Sequence, residues 1–467
     1  MRSLAAVPLL ALVAGCSLQA RPMTTPPPLE DEGEVYVYVR PLAGEAARLG
    51  FTVTSVSVVV GDGTEQPLAL TTSRFVAGEP RGETLLASGR LPNGDYRGVA
   101  IGVGQATTAR SGGKADLRSP AAPVQVAFPF SVSRRQAVVL SLGLDGEASV
   151  SKDLEFTPKF GAVIPARTSW QLVGYVSNPG STNLTVFDRR ARTVTGVVPT
   201  GRDPRGMALD PRGNRLYVAV SGDDAVDIVD VAAGRVINRI NMNGNDRPRD
   251  LALTAEGRLF VINSGSRSAS FVDPVSTQEI SRVPVGEEPW SILLDRARQR
   301  GYVLNRRSNS ITVVDLGARS VVGSISTDPE PIWAQMNAAG TRMYVACAGS
   351  AFLSVYSVPD LAMVRQVHVG LGASALKVDP RTDQIYLGKR DEGRIYVYEP
   401  SGFLAIDDFD VPGPVSYLAI DDVDNVLIAL VPGQQRVVMI DLISRNVVAE
   451  FQAGAFPYQV TVSGARY

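Results

Sequence analysis

The stretch Pro211-Arg-Gly-Asn-Arg-Leu-Tyr-Val returns later in the chain as Asn337-Ala-Ala-Gly-Thr-Arg-Met-Tyr-Val. In both, a Gly-bearing turn leads into an apolar strand with an aromatic at a set place. The mark falls at Tyr175, Tyr217, Phe260, Tyr302, Tyr344, Tyr386 and Leu427, with gaps of 42, 43, 42, 42, 42 and 41. A second mark closes another apolar run at Asp188, Asp230, Asp273, Asp315, Ser357, Glu399 and Asp441. Its gaps are 42, 43, 42, 42, 42 and 42. Two markers holding one period over seven copies define a repeat. At roughly 40–45 residues and four short strands per unit, that repeat is a β-propeller blade.

The second copy gives the grammar. Strand A is Arg205–Leu209, strand B Leu216–Val220, strand C Val226–Val229 and strand D Val236–Ile240, with Gly/Asp/Asn/Ala turns between them. A single such sheet is apolar on both faces, and a closed ring covers both. The first copy has strands at Leu172–Ser177, Asn183–Phe187 and Thr193–Val198 but no strand A before them. The chain closes with Phe456-Pro-Tyr-Gln-Val-Thr-Val, a strand A with nothing after it. The C-terminal strand therefore completes the first blade, giving seven.

These repeats resemble the YVTN-type propeller family, which includes YncE-like bacterial proteins, over about residues 168–467. The resemblance implies a fold and no single activity, because the family hosts binding, surface-layer and envelope proteins. The copy from Gly372 departs by lacking the Pro before strand A, and the last full copy has Leu427 where Tyr is expected.

At 467 residues with a formal net charge of −1, the chain has no basic surplus for nucleic acid. Met1-Arg2, the apolar run Leu4–Val13 and Val13-Ala-Gly-Cys16 resemble a bacterial lipoprotein signal and lipobox, residues 1–16. The expectation is a mature protein that begins at an acylated Cys16 and is tied to a membrane by several acyl chains. Ser17, not Asp, implies by the same analogy outer-membrane sorting. Residues 17–33, Pro-rich and then acidic, read as an extended tether. With Cys16 acylated, Cys347 has no partner for a disulfide and reads as a buried, inert thiol inside strand B of a blade.

Residues 34–165 lack the repeat. Strands are expected at Glu34–Val39, Phe51–Val60, Gln66–Leu70, Glu83–Ser88, Tyr96–Val103, Val124–Phe130, Ala137–Leu142 and Leu154–Thr157, with Ala106–Ala122 as a mobile loop. That density suits a β-sandwich. Leu91-Pro-Asn-Gly-Asp-Tyr-Arg and Phe156-Thr-Pro-Lys-Phe resemble sandwich domains of unknown function in bacterial lipoproteins. The fold class is thus all-β, a sandwich (34–165) followed by a seven-bladed propeller (166–467).

The chemistry-bearing residues are few. One histidine, His368, lies on an outermost strand D, away from any channel. That argues against His-ligated haem and multi-His zinc. Asp210, Asp295, Asp379 and Asp421 recur just after strand A, where Asp caps its own turn. The mid-strand A series Ala208, Ala252, Leu293, Gln335, Lys377, Ala419 and Thr461 offers no acid cluster. No metal site, cofactor or catalytic set is expected.

The D-to-A crossovers are richer. Pro opens most of them, and the next residues begin the innermost strand, so Arg205, Arg249, Trp290, Trp333, Tyr417 and Tyr458 should gather at the channel entrance. Arginine and aromatics are the currency of binding hot spots, and an Arg pair suits an anionic group. Equally, Trp and Tyr can wedge between blades with Arg capping them. The function expected is a membrane-anchored envelope lipoprotein whose propeller binds a protein, peptide or glycan at this mouth. The alternatives are a propeller enzyme (lactonase or quinoprotein-like oxidoreductase) and a purely architectural envelope module.

Overall fold

In the computed structural model, residues 31–79, 82–110, 113–210 and 214–463 are described. The signal, Cys16 and most of the tether lie outside them. Seven four-stranded antiparallel sheets follow one another. Their innermost strands touch in sequence and close a ring. In the second blade the strands run Pro204–Asp210, Arg215–Val220, Ala225–Asp230 and Arg235–Asn241.

Each of the seven blade interfaces carries its own apolar cluster. The first sequence mark explains why the period is so strict: Tyr175 fills the interface between blades 1 and 2, Tyr217 that between 2 and 3, and so on to Tyr386 between 6 and 7. The last mark is corrected by the register. Tyr217 pairs with Ala208 and Tyr386 with Lys377, and the residue in that place in blade 7 is Ile428, paired with Ala419, not Leu427. The gap from Tyr386 becomes 42, so both markers keep one count. Leu427 faces blade 6, whereas Ile428 joins the interface of blades 7 and 1. There Phe187 and Phe451, with rings 5.0 Å apart, supply aromatic bulk instead.

The second mark is a turn cap. Asp188, Asp273, Asp315 and Asp441 accept hydrogen bonds from backbone N–H groups two or three residues on. The Asp residues after strand A act alike: Asp295 accepts from Arg298 N, Asp379 from Arg381 N, and Asp421 from Val423 N.

Gln459–Val462 pairs with Val173–Asn178 and completes blade 1 from the other end of the chain. An ion pair spans the same joint: Arg189 Nη1 of blade 1 lies 2.5 Å from Asp421 Oδ1 of blade 7, both side chains buried.

Before the propeller, two sheets enclose a separate core. One has strand order Lys159–Val163, Ala137–Asp145, Glu32–Val39, Thr84–Pro92, Ala69–Leu70. The other runs Glu65–Pro67, Leu49–Val60, Gly94–Arg110, Gly113–Leu117, with Arg74–Phe75 and Val124–Val132 also paired to it. Two expectations change. Ala106–Arg110 and Gly113–Leu117 form a paired hairpin where a loop was expected; the β-branched Thr107 and Thr108 favour extension, and Gly113 sits at the turn with φ of 134°. The last strand is Lys159–Val163, whereas Leu154–Thr157 makes only isolated bridges.

The sandwich sits on the closure joint. In Glu32–Val39, Val35, Val37 and Val39 face the sandwich core, while Tyr36 and Tyr38 join the cluster between blades 7 and 1. A strand buried on both faces reads as a continuous apolar run, and Val35-Tyr-Val-Tyr-Val is one. The joint is also hydrogen-bonded. Glu83 N donates to Glu450 O at 3.0 Å, and Gln452 N to Glu83 O at 2.8 Å. The Glu83 carboxylate accepts from Val194 N at 2.7 Å and from Ser141 Oγ at 3.2 Å. Asn183 Nδ2 donates to Tyr36 Oη at 2.7 Å.

Candidate binding site at the channel mouth

The crossover into strand A repeats one backbone device. The residue before Pro adopts a left-handed conformation at Asp203, Arg247, Glu288, Glu330 and Phe456. In the first four, its carbonyl accepts from the first residue past strand B: Ser221, Ser264, Arg306 and Ala348. This bond holds a conformation that non-Gly residues rarely take. It also fixes where the next two side chains go. In blade 6, Gly372 takes the same conformation without a Cβ penalty and accepts from Arg390 N, while Ala373 stands at the Pro position.

The first residue after the Pro position is Tyr458, Arg205, Arg249, Trp290, Ile332, Ser374 and Ser416 in blades 1 to 7. The second is Gln459, Gly206, Asp250, Ser291, Trp333, Ala375 and Tyr417. The six candidate residues therefore divide between two positions that alternate along the strand.

Four of them form one arc. Arg205 Cζ lies 5.3 Å from the Tyr458 ring, and Arg249 Cζ 5.6 Å from that ring and 3.4 Å from the Trp290 ring. Arg306, which the sequence reading did not single out, covers the same indole at 4.6 Å. The repeat could have located it, since it is the first residue past strand B of its blade, as Ser221 is in blade 2. Arg306 also bridges Glu288 at 3.6 Å and Glu330 at 3.0 Å. Arg205 is neutralised by Asp203 at 2.9 Å. Arg249 differs: among the described residues no carboxylate lies within 4 Å of it. Burial pulls its pKa below the ordinary arginine value, and Arg205 adds to that; Tyr458 and Glu288 oppose it.

The other two belong to a plug across the axis. Trp333 of blade 5 meets Tyr417 of blade 7 edge-on at 5.0 Å, and its indole N–H donates to Ser374 O at 3.0 Å. Gln459 Nε2 of blade 1 donates to Tyr417 Oη at 3.5 Å. Gln459 also hydrogen-bonds Asp250 of blade 3. The Trp333–Tyr417 and Gln459–Asp250 contacts each skip a blade, so these side chains reach across the centre. The packing is alternate: large side chains come from blades 1, 3, 5 and 7, and Gly206, Ser291 and Ala375 from those between. A Cβ on Gly206 would lie 2.4 Å from Asp250 Oδ1 and 2.5 Å from its Cα, so the alternation is enforced sterically. Asp250 was missed because the acids were sought two residues further along the strand. Its carboxylate accepts from Leu251 N and Ile292 N, and burial pushes its pKa up to about 6.

Beside the arc, Asp203, Arg205, Ser221, Asp224, Arg247 and Arg249 line a cavity of about 480 Å3 between blades 2 and 3. Cys347 is buried in strand B, with its thiol pKa pushed up to about 12 by burial. His368 is exposed on the outermost strand of blade 5, against Phe352. Lys377, in the mid-strand A series, has its pKa pulled down by burial, which the charges of Asp422 and Asp379 oppose.

Residues 180–381 match the model of a family described as "YNCE-like beta-propeller". Among solved structures, a functionally unknown protein from Desulfotomaculum acetoxidans DSM 771 is 10% identical with a TM-score of 0.55, covering 63% of this chain and 99% of that one. The dihydro-heme d1 dehydrogenase NirN in complex with DHE is 13% identical with a TM-score of 0.52, covering 64% and 77%. Kuenenia stuttgartiensis hydrazine synthase is 22% identical over 54% of this chain and 88% of that chain, with a TM-score of 0.48. At these identities the likeness is one of fold. No curated protein matches.

Proposed function

We propose that this YncE-like propeller is a lipid-anchored protein of the bacterial cell envelope, and that it binds a protein, peptide or glycan at its channel mouth. The anchor rests on the sequence alone: the short basic start, the apolar run and Val13-Ala-Gly-Cys16 ahead of a Pro-rich tether. The single observation that carries the binding reading is Arg249. It is a half-buried cation with no carboxylate within 4 Å among the described residues, held against Trp290 beside a cavity. A partly desolvated charge with no carboxylate beside it is costly to keep, and Arg and Trp are the residues that concentrate binding energy.

Crosslinking in the native membrane, followed by mass spectrometry, tests the reading. Arg249→Gln and Trp333→Ala should each deplete a captured envelope partner while the far-UV spectrum stays that of the parent. A partner captured equally by both variants would remove the mouth as the site. Cys16→Ala should release the chain from membranes and abolish fatty-acid labelling; an unlabelled parent protein would remove the anchor.

A further inference from the structure

The chemistry of the mouth's ligand can be narrowed further, on the reading that the mouth is a binding site. Three arginines line the cavity between blades 2 and 3. Arg205 is committed to Asp203. Asp224, the other acid there, has both oxygens in use, accepting from Asn245 N at 2.9 Å and Arg247 N at 2.7 Å. Arg247 and Arg249 remain, and no carboxylate among the described residues comes within 4 Å of either. Arg247 is exposed at the rim and Arg249 lies deeper. The formal charge of the lining is three Arg less two Asp, or +1.

Two buried donors in the stacked pair also lack acceptors: Arg249 Nε and Trp290 Nε1. Buried donors in folded proteins are almost always matched; of this pair only Arg249 lines the cavity, and its uncompensated charge is what calls for an acceptor-rich ligand. Stacking on Trp290 fixes the guanidinium plane, and a fixed planar fork recognises the two oxygens of a carboxylate or phosphoryl group better than a spherical ion. The cavity is larger than such a group alone and falls within the usual range for small-molecule sites.

We propose that this cavity is an oxyanion subsite, in which Arg249 and Arg247 together hold a carboxylate or phosphoryl group of the mouth's ligand. Arg249, fixed by Trp290 and Tyr458, sets the orientation. Arg247 supplies rim charge that draws the anion in.

The test titrates the purified full chain with sodium acetate, inorganic phosphate and, at matched ionic strength, sodium chloride, read by calorimetry and tryptophan fluorescence. Acetate or phosphate should bind saturably where chloride does not. Arg249→Gln should weaken that binding at least tenfold and Arg247→Gln severalfold. Arg394→Gln, which removes an exposed charge on an outer part of blade 6, should leave it unchanged. Preference for acetate assigns a carboxylate ligand, and preference for phosphate a phosphoryl one. Binding no better than chloride overturns the proposal, as does equal binding by the parent and Arg247→Gln; the latter decides the matter if Arg249→Gln misfolds. The crosslinking experiment separates the two readings. A partner still lost on Trp333→Ala, with no anion bound, would sink the subsite and keep the mouth.

Discussion

Arg189→Met should destabilise the chain far more than an ordinary surface charge change, because it opens the joint between the first and last blades. Asp421 is fully buried and Arg189 nearly so. Without the guanidinium, Asp421 Oδ1 keeps only the N–H groups of Val423 at 3.1 Å and Asp424 at 3.3 Å, and Oδ2 has no partner. Leaving a buried carboxylate uncompensated costs about 3–5 kcal/mol. Asp421→Asn leaves Arg189 with Gln171 O at 3.2 Å and the partly exposed Asp424 at 3.4 Å, so its cost should be about 1–3 kcal/mol. With both groups replaced, neither charge is stranded, and the double variant should cost less than the sum of the singles by more than about 1 kcal/mol. Urea unfolding of the four proteins, followed by circular dichroism and tryptophan emission, gives the cycle. Strict additivity, or a cost below about 1 kcal/mol for Arg189→Met, would refute the claim that this pair fastens the ring.

Asp250 gives a pH signature. Its native pKa of about 6 lies above its ordinary value of 3.8, so between about pH 4 and 6 the native state holds a proton that the unfolded chain has released. Stability should therefore fall as pH rises through that window, by about 3 kcal/mol from this group, and Asp250→Asn should flatten the slope; an unchanged slope in urea midpoints would count against it. Glu83, also raised by burial, acts in the same sense at the sandwich joint. Glu83→Ala strands Val194 N–H and should cost about 1–3 kcal/mol, whereas Glu83→Gln keeps an acceptor and should be near neutral, as thermal melts would tell. The Cys347 thiol should resist a thiol reagent at pH 8 in the native chain and react on denaturation; fast native labelling would contradict its burial.

The repeat, the blade number and the closing strand were all legible in the sequence, because each is a local pattern. A turn-capping Asp and an interface-filling Tyr must recur once per blade, and their spacing is the blade itself. Within the repeat, the slip of Leu427 for Ile428 came where the pattern thins: blade 7 meets blade 1, and the aromatic bulk comes from Phe187, Phe451 and the sandwich. The apolar run Val35–Val39 carried the signal of a strand buried twice, but not what would cover its second face. At the mouth, the sequence pointed to six residues that stand at the channel, but not to Arg306, Asp250 or Gln459 beside them. Only the tertiary structure decided that Arg205, Arg249, Trp290 and Tyr458 form an arc while Trp333 and Tyr417 plug the axis, since that depends on side-chain alternation and on blades that are neighbours in no stretch of chain. For the same reason it alone decided which arginine has a carboxylate beside it and which does not: ion pairing is set by distances across blades, and no spacing along the chain encodes them.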